Sequence, residues 1–545
     1  MADVLLLNLT RFGDLLQSQA LIHDLHDSGH RVGLVCLDNF SPAVPLLRHV
    51  DRAWPLPGGR VMALIEQDWR QAAAFMLNLA HSIRHEGSPT HIINLTATLP
   101  ARLLGRLLAP TPDALMGFGL DAEGFGYNES VWLSFLSGAI RQRQSTPFNL
   151  VDMFRMAGSS LLASGVAARP GRNSLQQPHA AACARAQEIL AAAMPDSGRP
   201  HGFVALQLGA SEARRQWPVS SFAALGDTLY QAAGLCPVLL GTSSERALAE
   251  AYAAAAQGPF VNAVGSTDIP TLAALLTECR LLVTNDTGTM HLAAGLGVPC
   301  LAFFLATAQP WDTGPYLPGC CCLEPALSCH PCAYRRACTD DHVCLEYLTP
   351  GPVAELILGW LRSGHWEDGL NPELCTRARV WKTESDVRGF AAVRSLSGHD
   401  TEERTLWLAW QRFFWCRILD EMSGASPGSM QQNMPLPCPQ SVRTQVVPVL
   451  YQTVRLLDLL TEQGRLLGKS AQAGQLFLRN CERVQDILGV CQPLASLGFF
   501  WRELRQERGG RMDELLQFTA QLSAHLRFWA AALEGDTKRA ESELL

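Results

Sequence analysis

Asp286, Thr287 and Gly288, with His291 one helical turn further on, form the group of residues best suited to chemistry in this chain. The segment NDTGTMHLAAGLGVPCLAFF, residues 285–304, reads as a turn that opens a helix and then enters an apolar strand. The first N–H groups of a helix lack intrahelical partners and sit at the positive end of its dipole, so a phosphate can dock there. Asp286 or Thr287 can cap the helix, Gly288 lets a ligand approach the backbone, and His291 lies on the same face. Read alone, the turn is equally well an ordinary capped helix.

Three other places carry reactive side chains. Arg11-Phe12-Gly13-Asp14 follows the apolar run VLLLNL and starts a helix. Ligands of open α/β sheets bind beyond the carboxyl ends of strands, where a carboxylate can act as general base; an N-terminal helix cap is the plainer role for Asp14. LQLGASEARRQWP, residues 206–218, puts Ser211, Arg214 and Arg215 between a strand and a helix, and guanidinium donors match phosphate oxygens. Glu245 in LLGTSSERALAE can accept from ribose hydroxyls or complement a helix dipole. Cys329, Cys332, Cys338 and Cys344 follow a C-x2-C-x5-C-x5-C pattern, a spacing compatible with a structural zinc or iron site and equally with thiols that hold no metal.

The elements that must position these residues alternate. Up to about residue 165, short β-rich runs (VLLLNL, RVGLVCL, THIINLTA) alternate with helical patterns, which implies βαβ units and a parallel sheet. A weak pattern over 166–177 and the turn PDSGRPH at 195–201 bracket an Ala-rich helix and mark an interdomain connection. The alternation then restarts from FVALQLGA through RLLVTND to VPCLAFF, so two Rossmann-like halves are expected. Neither half carries G-x-G-x-x-G, which removes the main support for a nicotinamide enzyme. Beyond about residue 365 the pattern is helical, Leu-rich and Trp-rich, as in an appended bundle with Trp407, Trp410, Phe414 and Trp415 in its core or, less simply, on a partner-facing surface. GRLLGKS at 464–470 mimics a phosphate loop, but Gln463 stands where its first glycine is required.

Composition narrows the function classes. With 545 residues, a net charge of −7, 17% charged and 48% hydrophobic residues, the chain is too long for one core and too apolar for disorder. Its acidic balance argues against a nucleic-acid binder. Asp3 sits where a secretory signal wants a cation, and Gly295, Gly297 and Pro299 interrupt the longest apolar run, so a cytoplasmic protein without a transmembrane helix is expected.

The motifs together resemble glycosyltransferase family nine, the ADP-heptose lipopolysaccharide heptosyltransferases. The resemblance covers residues 1 to about 362 and includes GD before an apolar helix, INLTATLPARLLGRL, PFNLVDMFRMAG, GAS followed by QWP, GTSSE, VGSTDIPTLAALL and NDTGTMHLAAGLGVP. It implies an α/β fold of GT-B type, with two Rossmann-like domains facing a central cleft: an acceptor domain over 1–165 and a donor domain over 178–362 that carries the Cys-rich segment 320–344. The resemblance does not extend to the helical extension over 375–545. The resemblance implies Asp14 as catalytic base, Ser211 and Arg215 on the donor phosphates, Asp286, Thr287, Gly288 and His291 on diphosphate and sugar, and Glu245 on the nucleoside. It further implies inverting transfer of heptose from ADP-heptose to a lipopolysaccharide-core hydroxyl without a catalytic cofactor, at the cytoplasmic face of the inner membrane. Alternatives are a protein acceptor, another nucleotide sugar, or a catalytically lapsed GT-B scaffold. Arg215 stands where relatives often have lysine, and LATAQPW, residues 305–311, replaces a Gly-Pro-Thr turn; both departures bear on the identity of the sugar.

Overall fold

Val4–Asn8 is buried along its whole length, as a parallel strand covered on both faces must be. The computed structural model describes residues 3–163, 165–166, 170–192, 200–333, 336–424, 437–467, 471–508 and 511–535. Residues 167–169 of the expected connection, 195–199 of the following turn and 468–470 of the phosphate-loop mimic lie outside them. Two compact units emerge, one of residues 1–90 and 148–399, the other of residues 91–147 and 400–545. The expected limits at 165, 178, 362 and 375 all fall inside the first unit.

In the first unit, Val4–Asn8 pairs in parallel with Val32–Leu37, and that strand with Val50–Leu56. After Asn8 the chain turns directly into the helix Phe12–Gln17 and then Gln19–Asp27, so the expected single helix is broken at Ser18. An eight-stranded sheet forms the rest of the framework. Its spatial order is Ala391–Ser395, Ala378–Ser385, Cys321–Pro325, Cys300–Phe303, Cys279–Asn285, Gly202–Gln207, Leu235–Leu240, Val261–Asn262. The last six strands in this order run parallel; the first two add on antiparallel. That hairpin extends the sheet well past the expected limit at 362, and it closes an edge that would otherwise be open. The core beneath the sheet is anchored by Trp217, fully buried and stacked on Phe303 at 4.3 Å.

The second unit joins His91–Asn94, Leu115–Leu120 and Gly126–Asn128 to the C-terminal helices. Val131–Ala139 is apolar nearly all round and packs on Ala495–Arg508; a Cβ at Gly138 would lie 3.1 Å from the Phe500 nitrogen, so glycine is what allows this approach. Trp407, Trp410, Phe414 and Trp415 are buried, with Phe414 stacked on Trp529 at 3.6 Å and Trp415 5.1 Å from Phe500. The aromatic stripe is therefore core. The α/β class with a helical C-terminal part is borne out, with the helices starting at Glu403. No described helix is long and apolar enough to cross a membrane.

Candidate active site

The chain order of the large sheet reverses between Gly202–Gln207 and Cys279–Asn285: succeeding strands go one way from the first and the opposite way from the second. At such a reversal the loops leaving the two carboxyl ends diverge and open a crevice, where ligands of open α/β sheets bind. Those loops are 208–218 and the 286–288 turn, the two segments whose residues suggested a phosphate site.

Asn285 holds them together, and sequence reasoning passed it over. Its side chain is fully buried. The amide N–H group donates to the carbonyls of Gln207, Leu208 and Gly209 at 3.4, 3.0 and 3.2 Å, and the amide oxygen accepts from the Trp217 N–H at 2.9 Å. Thr289 adds a bond to Gln207 Oε1 at 3.0 Å. Replacing Asn285 by alanine strands a buried donor and the carbonyls, which costs at least about 2 kcal/mol. The same change is expected to raise KM for the donor roughly tenfold with a smaller effect on kcat, because it loosens placement and removes no reacting group. Denaturation and steady-state kinetics check both figures; an unchanged donor KM in the folded variant would show that the loops hold without Asn285.

Within this frame the expected residues converge. Arg215, with its side chain 9% exposed, pairs with the Asp286 carboxylate, 7% exposed, and donates to Ser211 Oγ at 3.4 Å. Arg215 Nε is buried and has no hydrogen-bond partner among the described residues, and neither has His291 Nδ1. Burial holds His291 neutral by pulling its pKa down to about 4 against the opposing pull of Asp286. Thr287 is the N-cap of Gly288–Gly295 without using its side chain to cap; its hydroxyl lies 3.2 Å from that of Thr284. The helix start is thus left to its backbone N–H groups.

Asp14 meets this cluster from the first sheet. A Cβ on Gly13 would fall 2.9 Å from His291 Cδ2 and 3.4 Å from Gly288 Cα, and one on Gly288 would fall 2.7 Å from Phe12. Glycine at both places lets the two helix starts touch. Asp14 accepts a long bond, 3.5 Å, from the Arg11 N–H, so it also serves the capping role open to it. Burial raises its pKa, Arg11 and Thr10 oppose that, and the Asp286 charge adds to the rise. Glu245 is half-buried; Oε2 accepts from the Thr242 N–H and hydroxyl at 2.6 and 2.9 Å, a capping role, while Oε1 lies where a Cβ on Gly209 would be, 1.5 Å away. It therefore borders the same loop from the next strand.

Among the described residues, no three of His, Cys, Asp and Glu stand where they could hold one metal ion. Cys329 and Cys338 are exposed, Cys344 is buried, and Cys338 Sγ accepts the His342 N–H at 3.3 Å. The zinc or iron site that the spacing allowed is thus not supported by a ligand set among the described residues. The segment touches the loop 208–218 and the chain after Cys300–Phe303: Arg214 donates to the Arg336 carbonyl at 3.2 Å, and the Cys332 N–H to the Ala306 carbonyl at 2.8 Å.

Residues 138–342 match the family model of glycosyltransferase family 9 (heptosyltransferase), which bears out the resemblance over that span. A lipooligosaccharide heptosyltransferase 2 from Campylobacter jejuni subsp. jejuni is 31% identical over 108 residues, covering 19% of this chain and 33% of the relative. The enzyme of the same name from Haemophilus ducreyi is 33% identical over 89 residues, 16% of this chain and 25% of the relative. The matches thus span a third or less of those relatives' lengths. Among solved structures, E. coli ADP-heptose LPS heptosyltransferase II shares 19% identity at a TM-score of 0.47, covering 66% of this chain and 99% of that one.

Proposed function

We propose that the chain is an inverting glycosyltransferase that moves a sugar from a nucleotide diphosphate donor, ADP-heptose first among them, to a hydroxyl of a lipopolysaccharide-core glycolipid. The observation that carries this reading is the convergence of two buried nitrogens without a hydrogen-bond partner among the described residues, the Arg215 Nε donor and His291 Nδ1, with the Gly288 helix start, against which lies the helix Phe12–Gln17 that carries Asp14. Buried polar groups without partners are rare and call for a ligand or water. These donors suit an anion, and a carboxylate next to an anion site suits proton removal. The match of residues 138–342 to the heptosyltransferase family and the names of the partial relatives support the choice of donor and acceptor.

In this mechanism Asp14 takes the proton of the acceptor hydroxyl as the oxygen attacks the anomeric carbon. The bond to the diphosphate breaks on the opposite face, and the departing charge falls to Arg215, Ser211 and the N–H groups at Gly288. Neutral His291 donates or accepts one hydrogen bond without adding a charge. Glu245, beside Gly209, takes the nucleoside end.

The test is a thermal-shift screen of the full chain against ADP-, UDP- and GDP-sugars, followed by ADP release with lipid and with protein acceptors. A ligand bound only by the folded protein stabilises it by about 2.7 kcal/mol at a concentration of about 100 Kd. An ADP-sugar is expected to give the largest shift. Binding of no nucleotide sugar would favour the scaffold alternative, and turnover with a protein but not with the lipid would move the acceptor to the protein class.

A further inference from the structure

We propose that Asp286 is the internal counter-ion of the empty donor site: it neutralises Arg215 until a diphosphate takes its place, and the displaced carboxylate then accepts from sugar hydroxyls. The inference rests on the donor-site reading above and adds to it an exchange of partners.

A guanidinium withdrawn from water needs an anion close by, because an unpaired buried charge is strongly disfavoured. Asp286 supplies one, with both side chains at most 9% exposed. Yet the pair leaves part of the guanidinium unanswered, since among the described residues Arg215 Nε stays buried without a partner and Nη1 has a single long contact, 3.4 Å, to Ser211. Asp286 also stands just ahead of the N-cap of Gly288–Gly295, so its charge occupies the positive end of that helix as well. A diphosphate would seek the same two places. Two anions cannot hold one partly desolvated guanidinium at once without repelling each other. Binding of the diphosphate at the open Nε side therefore works against the Asp286–Arg215 pair and favours its separation. The freed carboxylate, carried by the residue at the mouth of the turn, then becomes an acceptor for hydroxyls on the sugar that the diphosphate bears.

A pure substrate-contact role for Asp286 predicts that removing its charge weakens or leaves unchanged the binding of ADP. The counter-ion role predicts the opposite sign. Full-length wild type, Asp286→Asn and Asp286→Ser are melted alone and with ADP or inorganic diphosphate, and the affinities are measured by calorimetry. Both variants are expected to melt lower than wild type without ligand, to bind ADP and diphosphate roughly tenfold more tightly, and to lose part of the preference for ADP-sugar over ADP. The serine variant keeps the question answerable if the asparagine one does not fold. ADP affinity equal to or weaker than wild type in a folded variant overturns the proposal. A wild type that binds neither ADP nor any nucleotide sugar would instead sink the donor-site reading itself.

Discussion

Asp14→Asn is expected to lower kcat by about 10²- to 10⁴-fold while ADP affinity stays within about twofold, because a base positioned for proton removal acts in the transition state and not on the bound nucleotide. The geometry explains why the effect should be this one-sided. Asp14 sits on the helix that touches Gly288 and His291 through Gly13, while the donor-side residues come from loops held by Asn285. The burial that suits the carboxylate to the proposed role of base also sets its pH response. Its pKa is raised above the ordinary 3.8, first by burial and further by Asp286, so kcat/KM should fall as pH drops through a value above the usual aspartate range. The stability effect has the opposite sense. A carboxyl whose folded pKa is raised contributes stability that is fully present below the unfolded value and lost as pH rises through the folded one. At neutral pH the charged Asp14 therefore costs stability, and the asparagine variant should melt no lower than wild type. Steady-state rates against pH, with calorimetric melting of both proteins, check this; undiminished turnover in the folded variant would remove Asp14 as the base.

The turn at 286–291 and the loop at 211–217 were legible because their chemistry is local: acidic, hydroxyl and glycine residues at a helix start, and arginines before a Trp-Pro stop. Asn285 was not, although it makes more of the site's hydrogen bonds than any neighbour named from the sequence. An asparagine at the end of an apolar run looks like the end of a strand. Its partners lie 68 to 78 residues away, and only the reversal of strand order brings them alongside. Gly13 gave no signal for the same reason, since its partner Gly288 belongs to another sheet. The hairpin 378–395 was missed because ARVWKTES and AAVRS are short and set Arg379, Lys382, Glu384 and Arg394 among their apolar residues, so neither shows a clear apolar periodicity. The cysteine spacing was compatible with a metal and equally with thiols that hold none, because spacing along the chain does not decide how four thiols are placed, and among the described residues no ligand set for an ion is found. The helical tail was read as separate because its periodicity changes sharply at about residue 365. What hydropathy could not show is that its partner is residues 91–147.

That partnership makes Glu507→Ala the substitution with the largest expected effect on stability. Glu507 lies on the helix Ala495–Arg508, with its side chain 6% exposed, and accepts from Arg102 at 3.1 Å and from the Ser134 hydroxyl at 2.8 Å. Arg102 is 12% exposed and also donates to the carbonyls of Ala97, Gly119 and Tyr127. Removing one partner of a buried ion pair costs about 3–5 kcal/mol, because the charge left behind has neither water nor an anion. The three carbonyls soften that penalty for Arg102, so the lower end of the range is expected. Glu507→Gln keeps one acceptor oxygen for Arg102 but turns an N–H2 group toward Ser134, whose hydroxyl must then accept instead of donate, so with the charge lost it should cost about 1–2 kcal/mol. The difference between the variants separates the ion pair from simple packing: if shape alone held the helix, glutamine would match wild type and alanine would lose only about 1 kcal/mol of side-chain contact. Denaturant unfolding followed by tryptophan fluorescence reports on this unit through Trp132, Trp415 and Trp501, all fully buried there. Alanine and glutamine variants that unfold at the wild-type midpoint would mean that the tail rests on residues 91–147 without being held by them, and that the chain's helical part is an appendage after all.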